Sequence, residues 1–452
     1  MQTLEGTTVL FAPPLARQKR NGTTILIDPA RPHWIGTDQR GERLVSLFDG
    51  RRSVDDVVRT YATSFGLEPD KAWMHVHSFA LDALREGFLT RGPSAPRPYA
   101  GRDAELSLGT LSELWVHSNN SCNLTCAHCL VSSGPDGDRG VAPDVLRGWV
   151  AQGLDLGVKR VFITGGEPFL RKDMVELIQW VLSNDDTEVC VLTNGMLFTD
   201  ERLQALTALP EGRFRVQVSL DGSTPEMNDP CRGVGSFEKI TAGIRKAVES
   251  GLEVTVSTVI MASNADDVPN VTRLLGDIGV KNHHLLWLHH RGRADEDGGL
   301  ELPPARVLDV VRAVRAVAGE LDVSVDNDIA VEQRLTARAG TRHDLSNMAW
   351  DSLCVYADGT VYPSAALAGD PDLVAGSLAD APLASIWRES PVLRELRGVS
   401  VNDKSVCRDC DVKFLCGGGD LEHAWHASPA ELGRKSFTAH DPYCELHKGL
   451  IS

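Results

Sequence analysis

The sequence predicts an α/β protein built on a partial (β/α)6 barrel, with a small module before the barrel and a cysteine-rich extension after it. Strand-like apolar runs alternate with amphipathic helical runs from residue 114 to residue 288. Alternation of this kind is typical of parallel βαβ units with right-handed crossovers. Short motifs rich in glycine or cysteine follow these strands, and a second group of cysteines lies near the C-terminus. We therefore expect domains over residues 1–100, 108–300 and 301–452.

The composition argues against several classes of protein. A chain of 452 residues is long enough for two or three domains. Its net charge of −16 and pI near 5.3 argue against a protein that follows a phosphate backbone. No charged leader with an apolar run opens the chain, and no stretch approaches about 18 uninterrupted apolar residues. We expect a soluble cytoplasmic protein that binds neither nucleic acid nor membrane. The spacing of its ten cysteines is more typical of metal ligands than of a disulfide framework.

Residues 1–100 predict a separate module of strands followed by helices. Two apolar runs bounded by turn residues, at 8–11 and 23–27, are typical of strands. Three amphipathic helical patterns follow, and Ser53 is a suitable N-cap for the second. These patterns cover residues 40–48, 54–65 and 72–87. A run rich in proline and glycine at 92–97 is expected to be a linker.

The module resembles the winged-helix PqqD-like domain, the peptide chaperone of pyrroloquinoline quinone biosynthesis. The resemblance rests on the segments DGRRSVDDV at 49–57 and LDALREGFL at 81–89. It implies that the module recognises the leader of a precursor peptide, which would add a strand to the module's edge. Small winged-helix folds also bind DNA or mediate contacts, so a structural cap or a dimerisation domain stays as an alternative.

Six predicted strands form the barrel, and helices connect them. The strands cover residues 114–117, 161–163, 189–192, 216–220, 254–260 and 285–288, and the helices cover 174–182, 203–209, 240–248 and 268–278. In parallel α/β barrels the working groups lie in loops at the carboxyl ends of the strands. The motifs that carry chemistry in this chain fall at those positions.

Three cysteines, Cys122, Cys126 and Cys129, follow the first predicted barrel strand. Three thiolates within eight residues can hold one face of an iron–sulfur cube and leave a fourth iron without a protein ligand. A structural metal site closes its shell with four ligands, so a local set of three means an open position or a distant fourth ligand. The spacing alone is equally compatible with a zinc site and with an iron–sulfur cluster.

Further motifs follow the next three strands in order. They are Thr-Gly-Gly-Glu-Pro at 164–168, Thr-Asn-Gly at 193–195 and Ser-Leu-Asp-Gly at 219–222, with Arg232-Gly233 a little later. Adjacent glycines let a ligand approach the backbone closely, and the carboxylate beside them can meet a cation. Each motif alone is compatible with a turn, but their order at successive strand ends indicates a binding site.

The stretch as a whole resembles the radical S-adenosylmethionine superfamily, whose cluster motif is CxxxCxxC with an aromatic residue, here His128, before the third cysteine. The resemblance implies that Cys122, Cys126 and Cys129 ligate a [4Fe-4S] cluster. Its open iron would take the amino and carboxylate groups of S-adenosylmethionine. Electron transfer to the sulfonium would then give a 5′-deoxyadenosyl radical that abstracts a substrate hydrogen.

The same resemblance assigns contacts to S-adenosylmethionine. The residues expected at the methionyl ammonium are Gly165, Gly166 and Glu167. The residues expected near the ribose and methionyl groups are Asn194, Ser219 and Asp221. Arg232 would pair with the carboxylate, which suits its planar fork. The backbone near His128 and Val259-Ile260 would face the adenine.

Two more cysteines lie in the barrel region. Cys190, in an apolar strand, is most simply a small buried hydrophobic residue. Cys231, next to Arg232, is expected in a loop at the mouth of the barrel. Some members of the superfamily that invert peptide stereocentres return a hydrogen atom from a thiol, so the resemblance makes Cys231 a candidate catalytic hydrogen donor.

The C-terminal region predicts a helix at 301–317, a strand at 322–329 and then a second metal site. Four cysteines, the first two of them in a CxxC knuckle, can close a shell around zinc or an iron–sulfur cluster. They are Cys407, Cys410, Cys416 and Cys444.

This region resembles the SPASM extension of radical enzymes that modify peptides, with departures. Ser364 stands where that family has a cysteine after Val-Tyr-Pro, and Asp420 stands where it has one after Cys416-Gly-Gly-Gly. Both missing thiols belong to the family's first auxiliary cluster, and Cys354 lies closer to Gly359 than the first ligand of that cluster usually does. We therefore predict one auxiliary [4Fe-4S] cluster. An oxygen ligand from Asp420 or Ser364 beside Cys354 is the alternative.

Two groups of histidines lack the spacing of a ligand set. The group near the C-terminus is expected at the surface, and the group around the last barrel strand is expected to be structural. The groups are His423, His426, His440 and His447, and His283, His284, His289 and His290.

Together the three regions resemble maturases of ribosomally made peptides. The leading hypothesis is an enzyme that modifies a precursor peptide by cross-linking, epimerisation, oxidation or decarboxylation. A flavodoxin or ferredoxin would supply the electron, and the auxiliary cluster would relay or accept electrons or shape the cavity. Two alternatives stay open: a radical enzyme for a small molecule in natural-product or cofactor biosynthesis, and a non-catalytic iron–sulfur scaffold that binds peptides.

Overall fold

The computed structural model describes residues 4–93, 98–297, 299–337 and 344–451. The predicted linker at 92–97 falls largely on residues 94–97, which lie outside the described residues. Within the described ranges, no helix is long and apolar enough to cross a membrane.

The N-terminal module is a set of short strands covered by three helices. Its elements are β1 (Val9–Phe11), β2 (Ala16–Arg20), β3 (Thr23–Asp28), β4 (His33–Thr37), α1 (Gln39–Leu47), β5 (Asp49–Ser53), α2 (Val54–Phe65) and α3 (Pro69–Arg85). β2, β3 and β4 form an antiparallel sheet, and β1 pairs with β5. The module has a core of its own, which includes Leu10, Val57 and Phe88.

Local sequence explains where these elements begin and end. Ser53 caps α2: its hydroxyl accepts from the amide of Asp56, and the Asp56 carboxylate accepts from the amide of Ser53. β2 and β4 were not predicted. Asn21 and Gly22, both with positive φ, form the two-residue turn between β2 and β3. An Asn-Gly pair is a strong signal for such a hairpin.

A sheet of parallel strands forms the centre of the molecule. The strands are β6 (Glu113–His117), β7 (Arg160–Thr164), β8 (Glu188–Thr193), β9 (Phe214–Ser219), β10 (Val254–Ile260) and β11 (Asn282–Trp287). They lie side by side in chain order, and each is parallel to its neighbours. This arrangement confirms the predicted partial (β/α)6 barrel.

Helices precede, connect and follow the barrel strands. They are α4 (Arg102–Glu105), α5 (Pro143–Asp155), α6 (Met174–Leu182), α7 (Asp200–Thr207), α8 (Pro225–Arg232), α9 (Ser236–Glu249), α10 (Val268–Ile278) and α11 (Arg293–Asp297). The strands are apolar because both of their faces are covered. Val161 and Ile163 lie in the main apolar core. Trp115 and Phe162 stack with their ring centroids 4.4 Å apart and line the interior cavity of the barrel.

The C-terminal extension adds strands to both edges of the barrel sheet. β12 (Ser324–Val325) pairs in parallel with β11, and β13 (Ser352–Val355) pairs in parallel with β6. β14 (Thr360–Tyr362) and β15 (Gly376–Ser377) continue from β13 in antiparallel order. The helices are α12 (Pro304–Glu320), α13 (Asp326–Thr336), α14 (Leu383–Glu389), α15 (Pro391–Gly398), α16 (Ser405–Arg408), α17 (Lys413–Cys416), α18 (Leu421–Leu432) and α19 (Cys444–Ile451).

The strand predicted at 322–329 is wrong except for two residues. Ser324 and Val325 form β12, and the chain then turns into α13. Asp326 and Asp328 lie in the first turn of α13, where carboxylates interact favourably with the helix dipole. This local preference for a helix start outweighs the strand preference of the apolar residues around it.

Helix α13 joins the N-terminal module to the second cysteine region. Arg20 of β2 pairs with Glu332 at 3.0 Å, and Trp34 of β4 donates its indole N–H to a carbonyl near the end of α13. On the other side, Arg334 donates to the two carbonyls that precede Cys416. α13 therefore contacts both the N-terminal module and the segment that ends at Cys416, a predicted metal ligand.

Candidate active site

The loop after β6 holds the first three cysteines at the wall of a large cavity. Cys122, Cys126 and Cys129 all line this cavity, whose volume is about 790 Å³. The amide of Cys122 donates to the carbonyl of Gly134, and the amide of Ser133 donates to the sulfur of Cys129 at 3.3 Å. Three thiols at one cavity wall, with an amide directed at a sulfur, fit the anionic iron–sulfur group that the motif implies.

Glycines let the second strand-end motif pack directly on this loop. A Cβ on Gly166 would lie 2.2 Å from the carbonyl oxygen of Ser121, and a Cβ on Gly165 would lie 2.5 Å from that of Asn119. Both glycines also line the cavity. The close backbone approach inferred from the paired glycines is made here by the cysteine loop.

Glu167 is turned away from the cavity. Its buried carboxylate accepts hydrogen bonds from the amides of Phe169 and Asn194 and from the hydroxyl of Thr193, at distances of 2.8 to 3.0 Å. Burial raises the pKa of Glu167. The carboxylate ties the loop after β7 to the end of β8, and a contact with a methionyl ammonium would require it to leave these donors.

Of the predicted contacts at the ends of β8, β9 and β10, the side chains of three residues line the cavity and that of Ile260 does not. Asn194 and Ser219 line it, as does Val259. Ile260 is instead buried in an apolar cluster with Val268. Because successive residues of a strand point to opposite faces, Val259 and not Ile260 has its side chain toward the cavity.

A buried ionic network joins the cysteine loop to α8. The carboxylate of Asp221 lies 2.7 Å from Nε of Arg232 and 3.4 Å from Nε2 of His128. Burial alone would raise the pKa of Asp221, but the Arg232 guanidinium and His128 hold it below its usual value. Arg232 and His128 line the cavity, whereas Asp221 does not. Asp221 is therefore the buried counter-ion of Arg232, whose guanidinium is a positively charged group at the cavity wall.

Cys231 lies in α8 and not in a loop as predicted, because the helix continues through Arg232. Its sulfur is 2.7 Å from Nδ1 of His128 and 3.9 Å from the sulfur of Met261. The side chain is buried and is not among the residues that line the large cavity. Cys190 is buried in β8, as expected.

Arg293 is a site residue that the sequence analysis missed. Located at the start of α11, it donates to the carbonyls of Cys126 and Ser133, both at 2.8 Å, and it lines the cavity. It thereby ties the middle cysteine of the loop to the segment that follows Cys129. No motif surrounds Arg293, and its place after the last barrel strand is the signal that could have identified it.

The four C-terminal cysteines meet at a second, smaller cavity. The residues that line it include Cys407, Cys410, Cys416 and Cys444. They come from three short segments of chain, α16 with the turn after it, α17 and the start of α19. Cys416 also lines the large cavity, so the second cysteine site adjoins the cavity that Cys122, Cys126 and Cys129 line.

Lysines surround this second site. Lys413 and Lys448 line it, and the buried Lys404 donates to the carbonyl of Gly418 at 2.9 Å. The charges of Cys410 and Cys444 raise the pKa of Lys448. Four thiols among ammonium groups fit an anionic cluster, because the lysines offset its charge.

At the two positions where the sequence departs from the SPASM pattern, the side chains carry oxygen atoms and not thiols. The hydroxyl of Ser364 donates to the carboxylate of Glu422, and the carboxylate of Asp420 accepts from the amide of Glu422 at 2.8 Å. All three residues line the large cavity. Cys354 is fully buried in β13 and is absent from the lining residues.

The expectation that the C-terminal histidines lie at the surface is wrong for two of them. His423 is 3% exposed and stacks on His289 with ring centroids 4.2 Å apart. His447 bonds to Asp441 at 2.7 Å and lines the large cavity. Both are enclosed because α18 and α19 pack against the barrel mouth, which depends on contacts between distant parts of the chain.

Comparison with family models agrees with the two cysteine sites. Residues 116–275 match the model of the Radical SAM superfamily. Residues 347–411 match the SPASM model, described as an iron–sulfur cluster-binding domain. The first match contains the three-cysteine loop, and the second ends just after Cys410.

Curated relatives align with most of the chain at low identity. An AdoMet-dependent heme synthase of Methanosarcina barkeri is 24% identical over 348 residues, which is 73% of this chain and 94% of the relative. A PqqA peptide cyclase of Ruegeria pomeroyi is 26% identical over 330 residues, which is 71% of this chain and 86% of the relative.

Solved structures share the fold. SuiB of Streptococcus suis bound to S-adenosylmethionine aligns with 98% of this chain and 100% of its own, with a TM-score of 0.57 and 14% identity. The structure anSMEcpe with bound AdoMet aligns with 76% of this chain and 92% of its own, with a TM-score of 0.61 and 20% identity. The alignment with SuiB therefore includes the N-terminal module as well as the barrel and the extension.

Proposed function

This chain is a radical SAM enzyme with a SPASM domain, and on that premise we propose that it modifies a ribosomally made precursor peptide. The observation that carries the proposal is that α13 connects the N-terminal module to the segment that ends at Cys416, a residue of the wall of the cavity of about 790 Å³. A relative named as a PqqA peptide cyclase supports a peptide substrate, as does the shared fold of SuiB, which was solved with its precursor peptide SuiA.

When bound, the [4Fe-4S] cluster and S-adenosylmethionine supply a 5′-deoxyadenosyl radical. The residues of this chain bind and orient them. Cys122, Cys126 and Cys129 hold the cluster, and Arg293 keeps their loop in place through two carbonyls. Arg232, fixed by Asp221, orients a carboxylate at the cavity wall.

Side chains of the cavity wall also shield carbon-centred radicals from water. Trp115, Phe162 and Val259 give it apolar surface that excludes water, and Asn194 and Ser219 add hydrogen-bonding groups near the cysteine loop. We assign the contacts with S-adenosylmethionine to these two residues, to Arg232 and to the backbone of Gly165 and Gly166. Cys407, Cys410, Cys416 and Cys444 would hold the auxiliary cluster in the smaller cavity, which adjoins the large one at Cys416.

We infer that the leader peptide binds at β2. Among the described residues, β2 pairs only with β3, whereas α13 packs against β4 at the other edge of the same sheet. The free edge of β2 presents unpaired backbone groups that an extended peptide can pair with. A flavodoxin or ferredoxin would supply the electron, and a cytoplasmic location, where thiols stay reduced, goes with this proposal.

A small-molecule substrate is the second candidate. The observation that favours it is the alignment of an AdoMet-dependent heme synthase with 73% of this chain at 24% identity. In that case the N-terminal module would have no leader to bind. A non-catalytic iron–sulfur scaffold is the third candidate, and it would leave S-adenosylmethionine intact.

The test combines the reconstituted full chain, a reductant, S-adenosylmethionine and a candidate precursor peptide, chosen from short reading frames beside the gene. We expect 5′-deoxyadenosine and a modified core of the peptide, both reduced when the leader is removed. The modification is detected as a change of mass or, for an inverted stereocentre, as deuterium incorporated from D₂O. Deoxyadenosine without any change in the peptide would favour the small-molecule candidate. Absence of deoxyadenosine would contradict radical chemistry and favour the scaffold.

A further inference from the structure

Two carboxylates in the large cavity have no cationic side chain beside them. Asp420 and Glu422 line the cavity at the start of α18. In the part of the chain that the structure describes, neither carboxylate has a lysine or arginine nitrogen within 4 Å. Glu113, the third acidic residue of the lining, pairs with Arg160 at 2.8 Å.

Burial and mutual repulsion raise the free-energy cost of keeping both carboxyl groups ionised. Burial and the neighbouring charge of Asp420 raise the pKa of Glu422 to about 8. Arg291, whose charge also acts on Glu422, donates to the carbonyls of Ala366 and Ala368. A cation placed directly against the two carboxylates would relieve their repulsion, because no lysine or arginine nitrogen of the described residues lies within 4 Å of either one.

Unused acceptors surround the same space. His289 lines the cavity, and its Nδ1 has no hydrogen-bond partner among the described residues. His423 stacks on it and is 3% exposed. Neither ring nitrogen of His423 makes a hydrogen bond with a described residue, although its Nδ1 lies 3.6 Å from Asp420. Burial lowers the pKa of both histidines, so their rings are neutral and each has a nitrogen that can accept.

The set of groups selects one kind of ligand. An ammonium has three donors and a guanidinium has five, and neither has an acceptor. Carboxylate oxygens from Asp420 and Glu422, the hydroxyl of Ser364 and the ring of His289 are acceptors for such donors. An anion in the same place would meet the charge of Asp420.

We propose that Asp420, Glu422, Ser364 and His289 form a subsite for a cationic group of the substrate, in the space where a SPASM domain with the full thiol pattern would place ligands of another cluster. The identity of that group as a lysine or arginine side chain rests on the proposed peptide substrate. The subsite anchors a basic residue at one wall of the cavity, and the neighbouring residues of the substrate extend toward Cys122, Cys126 and Cys129.

The test uses the anaerobically reconstituted full chain and two small probes, 1-aminohexane and its neutral analogue 1-hexanol. Binding is followed by ligand-observed NMR for the unmodified chain, Asp420→Asn and Glu422→Gln. Glu431→Gln is the matched control, because Glu431 lies on the same helix but bonds to His440 and does not line the cavity. We expect the amine to bind at least about tenfold more weakly to the first two variants than to the control, because each loses a charge-assisted hydrogen bond. Binding of the alcohol should be the same in all forms.

Equal binding of the amine to all forms would overturn the subsite, as would a parallel loss of alcohol binding. Formation of 5′-deoxyadenosine without substrate checks that each variant is folded. If a variant fails this check, the unmodified chain decides, because a chain that does not prefer the amine over the alcohol has no cation subsite. These probes require no peptide, so an unmodified precursor would contradict the proposed function without changing this result.

Discussion

Two buried carboxylates in the barrel have opposite surroundings and therefore different tasks. Glu167 accepts from neutral donors, and burial raises its pKa, so it is a structural tie between two strand ends. Asp221 faces Arg232 and His128, which hold its pKa below the usual value. Asp221 is therefore charged at neutral pH and keeps the Arg232 guanidinium in one orientation at the cavity wall.

The thiol of Cys231 is a candidate hydrogen donor that a substitution can test. If the thiol returns a hydrogen atom to the substrate radical, Cys231→Ala will still form 5′-deoxyadenosine but will yield no product, because the radical is left without its donor. Deuterium incorporated from D₂O, detected by mass spectrometry of the peptide, and chromatography of the nucleoside measure the two yields. Cys190→Ala is the control, since Cys190 is also buried but lies in β8.

Unchanged product from Cys231→Ala would contradict the donor role. The thiol would then be a packing group whose contact with His128 at 2.7 Å positions the residue before Cys129.

The sequence identifies the site residues whose roles depend on local spacing. Cys122, Cys126 and Cys129 are identified by their spacing, and the structure brings them to one wall. Arg293 and His423 were missed, because their contacts depend on which distant element packs beside them. The two-residue segment Val259-Ile260 was found, but its sequence does not show which side chain faces inward.

Among the elements, long periodic segments were predicted well and short ones were not. The helix at Val54–Phe65 and the strand at Val254–Ile260 have the bounds expected from their periodicity. β2 was missed because its residues Ala16–Arg20 are mostly polar, as suits an edge strand with one exposed face. Only the Asn21-Gly22 turn indicated that the chain reverses there.

The edge of β2 gives a test of leader binding. Arg20 and Thr23 close the two-residue turn, and outward-facing amides alternate along an antiparallel strand from such a closing pair. The amide of Lys19 therefore faces away from β3. We expect Lys19→Pro to weaken leader binding at least about tenfold, because proline removes that donor. Fluorescence anisotropy of a labelled leader measures the affinity.

Lys19→Ala separates the backbone from the side chain. It keeps the amide and removes only an exposed side chain, so leader affinity should be nearly that of the unmodified protein. If the proline variant is folded by circular dichroism and binds the leader normally, β2 is not the docking edge.

For the whole molecule, the number of irons distinguishes one auxiliary cluster from two. The radical cluster and the site at Cys407, Cys410, Cys416 and Cys444 predict about eight irons per chain after anaerobic reconstitution. Cys410→Ala should lower the count to about four, because it removes a ligand of the second site. Cys354→Ala should leave it unchanged, since Cys354 is buried away from the cavity. Iron and sulfide analysis gives the counts.

A count of about twelve irons would mean that a third cube is present. Ser364, Asp420 and Cys354 would then belong to a cluster site, and the cation subsite would have no room.

β6 acquires its second neighbour late in synthesis. Glu113–His117 pairs with Ser352–Val355, which leaves the ribosome more than 200 residues after it. At roughly 5–20 residues per second this interval lasts on the order of 10–50 s. During that time the strand that precedes the cysteine loop has one open edge, and open edges attract other strands. A nascent chain that stalls before residue 352 therefore exposes a site for aggregation or chaperone capture.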